Sequence, residues 1–128
     1  MDNLRDKKIL LVEDDEVSQF LLQKMLSVLG CKIQIVANGV EALQIVMLEE
    51  YDLIVMDIQM PVISGYETCR RLREAGVQWL KDVPIIGISA NPSESIDYFA
   101  EKGMNAYISK PIHESDLLDT IKAQLKNS

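Results

Sequence analysis

The residues of this sequence that could do chemistry together stand at the ends of short apolar runs. Glu13 and Asp14 follow Ile9–Val12, and Asp57 follows Leu53–Met56. Ser89 and Ala90 follow Ile85–Ile88, and Lys110 follows Ala106–Ser109 with Pro111 next. A carboxylate at the end of a buried-looking strand is costly unless something compensates its charge. Three carboxylates brought together repel, and the remedies are protonation or a cation. An all-oxygen acidic set suits a hard divalent cation, and Mg2+ typically takes one or two carboxylates, keeps several waters and leaves room for a phosphoryl oxygen. Ser89 offers a hydroxyl donor and Lys110 a point charge for the peripheral oxygens of such a group. In that arrangement Asp57 can act as the nucleophile of a phosphoryl transfer. Asp14 would hold the metal, and Glu13 would assist through a water. Acids after strands also cap the next helix, a role that suits Asp15 and Glu16.

The elements that must position these groups follow from the apolar pattern. Ile9–Val12, Leu53–Met56 and Ile85–Ile88 are apolar without alternation, as parallel strands covered on both faces are. Ile33, Ile35 and Val36 suggest a further strand, and Ala106–Ser109 another. Between them, Val17, Phe20, Leu21, Met25, Val28 and Leu29 recur near a helical period, with Gly30 placed to stop the helix. Asn38-Gly39 marks a turn ahead of a second helix through Val40, Leu43 and Val46. Further helices are expected over Tyr66–Glu74, from Pro92 to before Gly103, and over Glu114–Leu125. Five strands alternating with five helices predict an open, doubly wound α/β sheet with right-handed crossovers. Ligands of such sheets sit outside the carboxyl ends of the strands, where all the candidate residues fall.

Bulk properties narrow the function classes. The 128 residues are one domain's worth, with a core expected over about 8–125. A net charge of −7 argues against nucleic acid or anionic lipid as a direct partner. No apolar segment reaches membrane-spanning length, and MDNLRDKK lacks the apolar stretch of a signal peptide, so a cytoplasmic location is expected. Cys31 and Cys69 lack metal-site or redox spacing and read as reduced thiols. The single histidine, His113, has no supporting motif and argues against zinc.

The segments "ILLVEDDE", "YDLIVMDIQMPVISGYE", "PIIGISA" and "GMNAYISKPI" occur in this order. Together they resemble the response-regulator receiver domain of two-component signalling, and "MDIQMP" with "YISKPI" is similar to receivers of hybrid histidine kinases. The resemblance covers about Lys8 to Leu125. It implies a flavodoxin-like parallel sheet in the order 2-1-3-4-5. It further implies that Asp57 is the phospho-acceptor. Asp14 and Asp57 would bind Mg2+, or Mn2+ in its place, with the backbone carbonyl of Gln59, and with Glu13 through a water. Lys110 and Ser89 would serve the chemistry. Ile58, Ala90, Tyr107 and Pro111 would contact the phosphoryl group or move with it, and the Lys110–Pro111 bond is often cis in the family.

The implied partners are a histidine kinase or histidine phosphotransfer protein as donor, and a downstream protein or output domain as reader. The chain would be a monomer or a phosphorylation-dependent dimer, and a signalling switch that helps catalyse its own phosphorylation and dephosphorylation rather than a dedicated enzyme. Ser64 stands where the family more often has Asp. The stretch from Ala90 to Gly103 is one residue shorter than usual, so the helix there is expected to be shorter or shifted. Gln59 and Asn91 occupy positions that tune the lifetime of the phosphoryl group.

Other classes make different demands. A flavin phosphate needs donors after the first strand, and "EDDE" offers anions. An aspartyl-phosphate phosphatase typically carries its nucleophile on the first strand with a second Asp two residues on, whereas here the candidate is on the third. A non-phosphorylated interaction module would not need the complete acid–Asp–Ser–Lys set.

Overall fold

A computed structural model describes residues 4–90 and 96–126. The strands are β1 (Lys8–Val12), β2 (Lys32–Val36), β3 (Leu53–Asp57), β4 (Ile85–Ser89) and β5 (Ala106–Ser109). All pair in parallel, in the order β2-β1-β3-β4-β5 that the family resemblance implies. The helices are α1 (Glu16–Leu26), α2 (Gly39–Ile45), α3 (Gly65–Arg73), α4 (Gln78–Asp82), α5 (Ile96–Glu101) and α6 (Glu114–Lys126).

Alternation along the buried strands divides the core in two. Leu10, Val12, Ile54 and Met56 pack with Ala42, Cys69, Leu72 and Phe99 on one face of the sheet. Ile9, Leu11, Leu53 and Val55 pack with Leu22, Leu26, Leu117 and Ile121 on the other. Every residue of β3 and β4 is buried. Both strands therefore lie between helical layers, and their ends are held in fixed register. Met56 lies opposite Gly87, and Asp57 opposite Ile88.

The helices begin where short polar side chains can satisfy free N–H groups. Asp15 accepts from Ser18 N at 2.9 Å, Asn38 from Glu41 N at 2.9 Å, and Ser64 from Glu67 N at 3.1 Å. Two expectations change here. Asn38-Gly39 is a helix start rather than a free turn, with Gly39 pressed against Thr68 and Ile63 so that α2 and α3 approach closely. The helices number six among the described residues, because Gln78–Asp82 forms a five-residue helix that buries Leu80, too short for a period to reveal. After α1 a 3-10 turn over Ser27–Leu29 intervenes before Gly30, whose φ of 76° ends it. The expected helix start at Pro92 and the position Asn91 lie outside the described residues.

Arg73 fastens the far side of α3. Its guanidinium donates to the carbonyls of Leu80 and Val83 at 3.1 and 2.7 Å, to Gly103 O at 2.6 Å and to Asn105 Oδ1 at 3.0 Å.

Candidate functional site

The carboxyl ends of β1, β3, β4 and β5 converge as the sheet pattern predicts. Glu13, Asp14 and Asp57 each bring a carboxylate oxygen within 4.8 Å of the others. Asp57 is 3% exposed and Glu13 1% exposed, whereas Asp14 faces solvent. Asp57 Oδ1 accepts from Gln59 N at 2.9 Å, and Oδ2 accepts from Lys110 Nζ at 3.0 Å. Ser89, buried at the end of β4, pairs with Ser109 of β5, and Lys110 N donates to Ser89 O at 2.9 Å. The Lys110–Pro111 peptide is cis.

Glu13 is the most deeply buried member of this acidic cluster. Its N–H is tied to Val36 O at 3.1 Å, and its Oε2 accepts from Asp15 N at 3.0 Å. Its Oε1 is buried without a hydrogen-bond partner among the described residues. Burial pushes the carboxyl up to about 7, the Asp57 charge adds to the rise, and the Asp15 N–H and Lys110 oppose it. An orphaned buried carboxylate oxygen beside two further acids fits a hard divalent cation, bound directly or through water.

The remaining predicted positions lie around this centre. Ile58 is buried and its N–H donates to Ile88 O at 2.9 Å, fastening the loop after Asp57 to β4. Gln59 and Ala90 are exposed at the rim. Tyr107 is half-buried on β5 and stacks on Phe99 of α5, with ring centroids 4.3 Å apart and planes inclined by 14°. His113 is exposed just ahead of α6, consistent with its reading as a helix-start residue. Ser64, the departure from the family pattern, supplies the cap of α3.

Two contributors were not anticipated. A Cβ at Gly65 would stand 2.6 Å from Asp57 O and 2.7 Å from Ile58 Cα, so only glycine allows α3 to start against the backbone of the phospho-acceptor candidate. The sequence signal was slight, a Ser-Gly pair opening a helix. Gln19 donates from Nε2 to Glu13 O at 2.6 Å, a contact that nothing in the local pattern announces.

Comparison with known proteins agrees with this fold. Residues 9–122 match the family model described as the response regulator receiver domain. The chain is 37% identical over 122 residues to two-component response regulator 24 of Arabidopsis thaliana, covering 93% of this chain and 86% of that protein. It is 33% identical to probable histidine kinase 1 of Oryza sativa subsp. indica over 92% of this chain, and spans only 15% of that kinase's length. Among solved structures, the receiver domain of sensor histidine kinase PA1611 from Pseudomonas aeruginosa PAO1 superposes with a TM-score of 0.85 at 33% identity, covering 94% of this chain and 98% of that one. That structure is described as having a magnesium ion coordinated in its active-site cleft. The family match runs from β1 into α6 and takes in every strand end that carries a candidate group, so the chain belongs to the response-regulator receiver domains of two-component signalling.

Proposed function

We propose that this receiver accepts a phosphoryl group on Asp57 from a phosphohistidine, in a Mg2+-dependent reaction, and changes conformation to control a partner. The observation that carries the proposal is the buried Asp57 carboxylate, held 3.0 Å from Lys110 Nζ and clustered with Glu13 and Asp14.

Bound through Asp14, Asp57, the Gln59 carbonyl and a water on Glu13, Mg2+ or its substitute Mn2+ would neutralise the acids and the incoming phosphoryl oxygens. The chain's own residues do the rest. Gln59 N and Lys110 Nζ orient the Asp57 carboxylate from its two oxygens. An Asp57 oxygen attacks phosphorus, the donor's P–N bond breaks, and the imidazole nitrogen keeps the electron pair. Lys110, Ser89 and the Ala90 backbone then share the peripheral oxygens, while Ile58, whose N–H is held by Ile88 O, fixes the loop beside them. Ser89 and Tyr107 shift toward the phosphoryl group, and the population moves to the state that binds it better. The Tyr107–Phe99 stack links such a movement to α5.

The donor is a histidine kinase or a histidine phosphotransfer protein. Support for a docked protein donor comes from α1, which exposes Val17, Phe20 and Leu21 beside a groove that Leu22, Ile112 and Lys110 line. The reader is a downstream protein or an output domain, the location is the cytoplasm, and the domain serves signalling rather than metabolism. It is a single domain, monomeric or dimeric on phosphorylation.

The test is the intact mass after incubation with acetyl phosphate, with and without Mg2+, for the wild type and Asp57→Asn. A metal-dependent gain of one phosphoryl group in the wild type alone is expected. A gain of the same size in Asp57→Asn would move the nucleophile elsewhere. No gain from acetyl phosphate or from phosphohistidine donors would favour a pure interaction module.

A further inference from the structure

The acidic loop is gripped from α1 by an uncharged residue. Gln19 donates from its backbone N–H to Asp15 O at 2.9 Å, and from its side-chain Nε2 to Glu13 O at 2.6 Å. These are the carbonyls of the residues immediately before and after Asp14. The backbone bond is the opening bond of α1 and the side-chain bond is Gln19's own; the two flank Asp14, whose side chain faces solvent.

The rest of the loop shows what this grip adds. Glu13 N–H is bonded to Val36 O, and Glu13 Oε2 takes the Asp15 N–H. With Gln19 on its carbonyl, Glu13 has every polar atom engaged by protein except Oε1, the buried oxygen left for the site. The start of α1 does not require the Gln19 amide, because Asp15 already caps it through Ser18 N at 2.9 Å. The side-chain bond of Gln19 thus serves the loop rather than the helix. It fixes the plane of the peptide between Glu13 and Asp14, and with it the direction in which the Asp14 carboxylate leaves the backbone.

We infer that Gln19 is a positioning residue for the divalent cation, acting through the Glu13–Asp14 peptide without touching the ion. The inference rests on the reading of Glu13, Asp14 and Asp57 as the cation site. Partners one layer behind metal ligands typically govern affinity by about 10- to 100-fold. A single neutral bond to one carbonyl belongs near the lower end.

The experiment is a calorimetric Mg2+ titration of the whole chain, with metal-free thermal melts, for the wild type, Q19M, Q19E, Q23M and Asp14→Asn. Met keeps the length and helix preference of Gln but removes the donor. Gln23, exposed one turn further along α1, is the control. The expected result is a Mg2+ Kd raised about tenfold in Q19M with a metal-free melting temperature lowered by no more than the few degrees that one lost hydrogen bond costs, and a wild-type Kd in Q23M. Q19E should also bind more weakly, although its extra charge alone would attract the cation. Wild-type affinity in Q19M, or tighter binding in Q19E, overturns the inference. So does an affinity loss that comes with a larger loss of metal-free stability than one hydrogen bond accounts for, which assigns Gln19 to the fold alone. A wild type that does not bind Mg2+, or an Asp14→Asn that binds it equally well, would instead remove the cation site itself and the inference with it.

Discussion

Lys110 reaches past the end of β4 to bring its ammonium 3.0 Å from Asp57 Oδ2. The carboxylate is almost wholly buried, and the lysine side chain keeps 33% of its exposure. Removing the lysine leaves Asp57 beside two other acids with no cation opposite. Lys110→Ala should therefore lower metal-free stability by about 1–3 kcal/mol, less than a fully buried pair would give because the lysine is partly solvated. Urea unfolding checks this. Phosphoryl gain from acetyl phosphate should slow in the same variant, and an unchanged rate would remove Lys110 from the chemistry.

Asp14→Asn should separate stability from metal binding. It removes one of three clustered negative charges and leaves the exposed position otherwise filled. The metal-free melting temperature should rise by a few degrees, on the order of 1 kcal/mol. Stabilisation by millimolar Mg2+ should largely disappear. A melting temperature that still climbs with Mg2+ as in the wild type would place the ion elsewhere.

The Glu13 carboxyl sets a pH dependence. Its folded value is raised to about 7 by burial and by the Asp57 charge, from an ordinary 4.5. Between these values the folded chain binds more protons than the unfolded one. Metal-free stability from this group is thus fully present below pH 4.5 and is lost as pH rises through 7. Mg2+ favours the ionised carboxylate, so its apparent affinity should rise across the same window, with proton release on binding. Titrations at pH 6 and 8 in buffers of different ionisation enthalpy measure both. Equal affinity and no proton release would contradict the assignment.

Gly65→Ala should damage the site from behind. The added Cβ meets backbone rather than a flexible side chain, so α3 or the Asp57 loop must move. A cost of about 1–3 kcal/mol is expected from such overpacking. A reduced phosphorylation rate should accompany it under conditions where the protein remains folded. Wild-type stability would mean that the two backbones have room to part.

Val62→Gly should act in the opposite direction. Val62 is 82% exposed and has a φ of 71°, a left-handed conformation that a β-branched residue adopts at a cost. Glycine relieves this but frees the unfolded chain, so the expected net gain is about 0.5–1 kcal/mol. A loss of stability in urea would show that the valine side chain contributes more than its exposure indicates.

Much of this architecture was legible in the residues because it rests on local patterns. Unbroken apolar runs such as Leu53–Met56 mark strands buried on both faces, and the polar residue that ends each run falls at the edge where such sheets bind ligands. Glu13, Asp14, Asp57, Ser89 and Lys110 were therefore found together. What escaped notice depends on contacts without a period. The helix Gln78–Asp82 makes little more than one turn. Asn38-Gly39 has the composition of a turn, and the Asn38 cap on Glu41 N with the packing of Gly39 on Thr68 explains why a helix starts there. Gln19 and Gly65 act on backbone atoms of other segments, which no side-chain pattern encodes.

The Arg73 guanidinium has a consequence for how the domain breathes. It joins carbonyls of α4 and of the approach to β4 to the turn at Gly103–Asn105, so none of these segments opens without releasing the others. Asn105 extends the link, since its side chain also accepts from Ile85 N at 2.9 Å. Amide protons there should exchange as one cooperative unit, at the free energy of a sub-global opening rather than of a fraying loop. At the end of the sheet opposite the acidic cluster, the starts of β4 and β5 are in this way fastened to α3 and α4 as one unit.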